Sequence, residues 1–222
     1  FEKNNIYCGH GTDNIWDEAI ALVTHTLNLE NHVENFQLLL SAKLLTSEQD
    51  LLFSLIVKRA KNKIPLAYLI NYMRFCDLDF YVDNRVIIPR SPIAELIQNQ
   101  FSPWVHDPDR IGSALDLCTG SGCIAIALSH YFPNAKVDAI DLSDSALEIA
   151  NINIKKHNLT NQVKAIKSDL FSTIKTPTPK KYDLIISNPP YVDKQDLDNM
   201  PEEYKHEPKM ALAAGDDGLD LV

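Results

Sequence analysis

The chain has 222 residues, 45% of them apolar, and a formal charge of −9 at neutral pH. That length suits one large domain, or a medium one beside a small one, with a core that needs no disulfide or metal staple. The acidic balance argues against direct, specific binding of nucleic acid through its phosphates and suits a basic protein partner.

In chain order, the first 71 residues read as a small helical domain. Phe1 is not an initiator, so the chain is expected to be a piece of a longer one. Asp13-Asn14 opens a helix with Ile15, Trp16, Ala19, Ile20, Val23 and Leu27 on one face. Thr46-Ser-Glu-Gln49 has the pattern of a capping box, and Leu51, Leu52, Leu55 and Ile56 follow at helical spacing. The basic run Lys58-Arg59-Ala-Lys61-Asn-Lys63 falls at that helix's end, where cations complement the dipole. Residues 72–89 read as a linker containing a β-hairpin about Cys76-Asp77, with Val86–Ile88 as a further strand. Ser91 then caps a helix over Ile93–Gln100, with Pro92 at its first position.

From about Ile111 strands and helices alternate, which predicts an α/β fold with a doubly wound, mostly parallel sheet over residues 90–222. The strands are Ser113–Leu117, Lys136–Ile140, Val163–Ile166 and Tyr182–Ile186. The helices are Cys123–Tyr131 and one capped by Ser143 or Asp144 that runs to His157. Lys175–Lys181, with two prolines, reads as a surface loop. Gly218–Val222 reads as the start of a helix.

The unusual residues collect at one edge. Gly120 and Gly122, Asp141, Asp169 and Asn188 each lie just past the carboxyl end of a successive strand, where open α/β sheets bind ligands. Gly120-Ser-Gly122-Cys-Ile-Ala125 satisfies GxGxxA, and Asp141 follows at about 20 residues. Glycines let the backbone approach a ligand, and the acidic residue accepts ribose hydroxyls; either NAD or S-adenosylmethionine fits. Asp169 suits an adenine amine, with Leu170 or Phe171 over the ring. Four scattered cysteines without a CxxC pair point to reduced thiols and a cytoplasmic protein. Seven histidines without ligand spacing, and no bilayer-length apolar run, predict neither metal nor membrane.

Asn188-Pro189-Pro190-Tyr191 decides between the cofactors. Two prolines stiffen the backbone, and the Asn188 side-chain oxygen beside the Pro189 carbonyl makes a pair of acceptors for the two hydrogens of an NH2 group. The Tyr191 ring can stack on a flat acceptor. An amide nitrogen so held presents its out-of-plane lobe to an electrophilic methyl, and orientation of that kind contributes on the order of 7–11 kcal/mol in favourable cases. A planar amide or amino nitrogen is therefore the expected methyl acceptor.

At these residues the chain resembles the class I methyltransferases of the protein-glutamine N5 family. Asp116-Leu-Cys118-Thr119-Gly120-Ser121-Gly122 resembles their cofactor loop, and Asn188 to Tyr191 their acceptor clamp. His206-Glu-Pro208 and Ala213–Gly218 resemble the segment after the clamp. Pro89-Arg90-Ser91-Pro92, with Gly9–Asn14, is similar to the branch acting on the third large-subunit ribosomal protein, rather than the release-factor branch with Pro-Arg-Pro-Glu-Thr. The resemblance implies S-adenosylmethionine bound by the loop residues with Asp141, Leu142, Asp169, Leu170 and Asn188. It implies a glutamine held by Asn188, Pro189, Pro190, Tyr191 and Arg90, a basic ribosomal protein as partner, and a helical domain that recognises it. It also implies further carboxyl-terminal strands that this chain lacks. A release-factor glutamine, an adenine or cytosine amino group, a nicotinamide-dependent oxidoreductase and a non-catalytic ribosome-binding factor are the alternatives.

Overall fold

The computed structural model describes residues 4–12, 14–29, 43–174 and 181–221. The loop expected over Lys175–Lys181 lies outside the described residues except for Lys181. The chain divides into two compact units, residues 1–71 with 201–206, and residues 72–200 with 207–222.

The first unit is helical. Helix α1 (Ile15–Thr26) starts where Asn14 Oδ1 accepts from the Asp17 amide at 2.9 Å. Helix α2 (Thr46–Asn62) begins at the residue expected to cap it: Glu48 Oε2 accepts from the Leu45 amide at 2.7 Å, which leaves Leu45 as the cap residue. A short helix, α3 (Leu66–Ile70), follows Pro65.

The faces these helices bury differ from the apolar stripes of the sequence. Trp16 is 65% exposed, and in α1 Glu18, Leu22 and Thr24 are buried instead. In α2 Leu52 is buried, but Leu51 and Ile56 are exposed. The cause is an ionic core. Arg59, fully buried, donates to Glu18 Oε1 at 2.7 Å, Glu203 Oε1 at 3.1 Å and the Tyr7 carbonyl at 2.8 Å. Buried charges need partners, so the helices turn those side chains toward one another. Arg59 is thus core, whereas Lys58 and Lys61 are exposed.

In the second unit β1 (Met73–Phe75) and β2 (Leu78–Phe80) form the expected hairpin. Cys76 and Asp77 both have positive φ, 48° and 60°, as a two-residue type I′ connection requires. Val86–Ile88 is not a strand. Val82, Val86 and Ile88 are buried anchors of an irregular segment. The Ile88 amide donates to Glu207 Oε1 at 3.0 Å, and its carbonyl accepts from Arg90 at 3.0 Å. Groups so used cannot join a ladder. Helix α4 (Ile93–Gln98) ends two residues early, and Pro92 is its cap residue.

The sheet is parallel in the order β5-β4-β3-β6, from β3 (Ser113–Leu117), β4 (Lys136–Asp141), β5 (Val163–Lys167) and β6 (Leu184–Ser187). Helices α5 (Cys123–Tyr131) and α6 (Asp144–Lys156) connect β3 to β4 and β4 to β5. They pack against the sheet and each other. Leu115, Leu117 and Ile140 form a cluster with Ile166, Ile174 and Tyr182, and the Tyr182 hydroxyl donates to Asp138 at 2.7 Å. The chain runs outward from β3 to β5, then returns to β6 on the other side of β3. The carboxyl ends of β3 and β6 therefore flank the reversal where α/β sheets open a crevice.

Candidate active site

A cleft partly open to solvent lies in the second unit at the carboxyl edge of the sheet. Each strand end contributes to it: Cys118 and Gly120 after β3, Asp141 and Leu142 at β4, Asp169 and Leu170 after β5, and Asn188 and Pro190 after β6.

The two glycines serve different ends. Gly120 has φ +54°, and a Cβ there meets no atom within 4 Å, so its backbone faces open space. Gly122 (φ +80°) begins α5, and its would-be Cβ lies 3.3 Å from Cα and Cβ of Ala150, so it lets α5 and α6 approach. Asp141 secures the loop from the neighbouring strand. Its Oδ2 accepts from the Gly120 amide at 2.8 Å and its Oδ1 from the Ser143 amide at 2.9 Å. A carboxylate oxygen accepts two such bonds, so each retains a lone pair. The exposed Asp169 carboxylate has no hydrogen-bond partner among the described residues. A glycine that admits a ligand to the backbone and two carboxylates with spare acceptors fit an adenosyl cofactor.

Asp116, Thr119, Ser121 and Gly122 are not among the residues lining the cleft. Asp116 is fully buried; its Oδ2 accepts from Thr119 Oγ1 at 2.5 Å and the Ala125 amide at 3.1 Å, and so holds the loop from beneath.

After β6 the chain is rigidly led away. Ser187 Oγ donates to the Leu117 carbonyl at 3.0 Å, and Val192 pairs with Ala213 through the Val192 amide to the Leu212 carbonyl and the Ala214 amide to the Val192 carbonyl, both 2.9 Å. Between these pins stand the two prolines. The Asn188 side chain and the Pro189 carbonyl have no hydrogen-bond partner among the described residues, and Tyr191 is 65% exposed. Both acceptors are thus left open by the donors of the described residues.

A family model described as methyltransferase small domain matches residues 103–215. A ribosomal protein uL3 glutamine methyltransferase of Francisella tularensis is 53% identical over 219 residues, covering 99% of this chain and 68% of that protein. One from Neisseria gonorrhoeae is 46% identical over 222 residues, covering 100% of this chain and 72% of the relative. The chain belongs to the methyltransferase small-domain family. Among solved structures, the hMettl16 catalytic domain in complex with MAT2A 3'UTR hairpin 1 is similar at 18% identity and TM-score 0.47, over 79% of this chain and 59% of that one.

Several residues at the methyltransferase cleft carry no motif. Arg85, Val86 and Ile87 line it from the irregular segment after the hairpin, and Pro208, Met210 and Ala211 from beyond the clamp. The one hint was the run His206-Glu-Pro208, whose meaning is tertiary. Glu207, its side chain fully buried, takes Arg90 in a bidentate pair at 2.5 and 2.6 Å while accepting from Ile88. Arg90, expected on the substrate, is therefore committed to Glu207 and is absent from the cleft lining. Such a fork matches carboxylate geometry and positions backbone.

Two consequences are measurable. Gly218 has φ +78°, and a Cβ there falls 2.6 Å from the Tyr191 carbonyl oxygen. Gly218→Ala is expected to displace the clamp and lower kcat by up to about 10²-fold, since small misplacements cost that much; steady-state kinetics check it. Burial pushes the Asp116 carboxyl up to about 7, with the Asp141 charge adding to it and the Thr119 and Ala125 hydrogen bonds opposing it. The folded protein then holds that proton more tightly than the unfolded chain. Its stability contribution falls as pH rises from about 4, the free Asp value, through about 7, and is level above. Urea midpoints across that window should show Asp116→Asn gaining on the parent protein as pH rises.

Proposed function

We propose that this methyltransferase transfers a methyl group from S-adenosylmethionine to the side-chain amide nitrogen of a glutamine in the ribosomal protein uL3. The reading is carried by one observation. Two acceptors with no intramolecular partner among the described residues, the Asn188 side-chain oxygen and the Pro189 carbonyl, stand on a proline-stiffened turn of which Asn188 and Pro190, though not Pro189 or Tyr191, line the cleft with Gly120 and Asp141. The names of the two bacterial relatives supply the substrate protein. The net charge of −9 complements a basic ribosomal protein, and the reaction belongs in the cytoplasm where ribosomes are assembled.

In this assignment Gly120 and Cys118 bring backbone to the cofactor, Asp141 accepts from its ribose hydroxyls, and Asp169 with Leu170 receives its adenine. S-adenosylmethionine supplies an electrophilic sulfonium methyl. Asn188 and Pro189 accept the two amide N–H bonds, which raises electron density on a nitrogen otherwise conjugated with its carbonyl. Tyr191 lies against the flat amide. The nitrogen becomes strongly acidic once methylated, so no side-chain base is needed, and no histidine lines the cleft among the described residues. Neither is there a group of three or more potential metal-binding side chains, nor a helix long and apolar enough to cross a membrane, among the described residues.

The test is transfer of tritiated methyl groups to unmethylated uL3 and, separately, to ribosomal RNA. Label on a single uL3 glutamine, located by mass spectrometry, is the expected result. Label confined to RNA overturns the assignment.

A further inference from the structure

Helix α6 presents one face to the cleft and its walls, at Ala146, Ala150 and Asn153, spaced i, i+4 and i+7. Ala146 lines the cleft, and Ala150 is the surface against which Gly122 closes. Asn153 is fully buried yet is a polar amide in the last turn of a helix. Such a group persists in a core when its hydrogen-bonding capacity is used. Its Oδ1 accepts from the Tyr81 amide at 2.8 Å, and its Nδ2 donates to the Tyr81 carbonyl at 3.0 Å and the Ser121 carbonyl at 2.9 Å. Toward Tyr81 it acts as a strand neighbour does, supplying one donor and one acceptor to a residue just past β2. Toward Ser121 it supplies the remaining donor to the carbonyl between the two loop glycines.

These two attachments lead to two different segments of the cleft lining. Ser121 adjoins Gly120, and Tyr81 leads through the Asp83–Arg85 turn to Val86 and Ile87; Gly120, Val86 and Ile87 all line the cleft. One planar amide with three bonds in fixed directions therefore sets the separation of the glycine loop from the Val86–Ile87 wall. We propose that Asn153 is a positioning residue for the cofactor, acting through Ser121 and Tyr81 to hold the cleft at its binding width. This rests on the reading that the cleft holds S-adenosylmethionine. Asn153 itself is not among the lining residues.

The test is calorimetric titration of the chain with S-adenosylhomocysteine, well below the melting transition, for the parent protein, Asn153→Asp and Asn153→Ala. In the first variant the shape is kept but two carbonyls face an acceptor; in the second all three bonds are lost. Both are expected to bind at least about tenfold more weakly, the scale of an unmade buried hydrogen bond. Leu128→Ala, in the core of α5, is the reference for mere destabilisation: it lowers Tm and leaves the affinity unchanged. Should Asn153→Asp fail to fold, Asn153→Ala carries the comparison alone. Affinities within twofold of the parent protein, with Tm lowered as in Leu128→Ala, overturn the role of Asn153 and leave the cleft assignment standing. No binding by the parent protein overturns the cleft assignment, and this role with it.

Discussion

Asn188→Ala is expected to lower kcat by about 10²–10³-fold, the cost of removing one preorganised polar contact to a reacting group, with little change in cofactor affinity. The side chain has no intramolecular hydrogen-bond partner among the described residues, so its loss leaves no buried group stranded. In the proposed assignment, what disappears is one of two acceptors that hold the acceptor amide, an interaction needed to bring nitrogen to the methyl. Single-turnover methylation and a binding titration on the same variant separate the effects. Equal loss of turnover and cofactor affinity would move Asn188 from the acceptor to the cofactor. Unaltered turnover would favour a binding factor over an enzyme.

The mirror image is expected of Asp141→Ala. Here the affinity for S-adenosylmethionine should fall by about 10²-fold or more, because hydrogen bonds to a charged group contribute about 1.5–3 kcal/mol each and, in the proposed assignment, two ribose hydroxyls lose theirs. The Gly120 and Ser143 amides also lose their acceptors, so the loop that approaches the cofactor is released. With the cofactor raised to saturation, most of kcat should return. Failure of saturation to restore it would mean that Asp141 acts on the chemical step. The two substitutions act from strand ends on different sides of β3, β4 for Asp141 and β6 for Asn188, so their effects on binding and turnover should be nearly independent.

Much of this site is legible in the chain because its signals are local. A glycine pair after a short apolar run, an acidic residue about 20 positions on, and Asn-Pro-Pro-Tyr closing another apolar run each draw their meaning from neighbours in sequence. Alternating periodicities then place all of them at one edge, since consecutive parallel strands must present the same end to the same side. Strand bounds differ at β6, expected at Tyr182 and beginning at Leu184, because a ladder's start depends on its partner β3.

What the tertiary structure alone decided is which polar side chains serve the fold. Arg59 reads as a helix-end cation and is a buried hub for Glu18 and Glu203; Trp16 reads as core and lies in solvent. Arg90 reads as a substrate contact and is held by Glu207, 117 positions away. Val86–Ile88 reads as a strand, but the Ile88 amide and carbonyl are taken by those same two side chains. Asn153, a helix residue that no motif marks, bonds to both Tyr81 and Ser121. Periodicity reports which face of an element is apolar. A buried charge or amide finds its partner by direction and distance across the folded chain, and no spacing along the sequence encodes either.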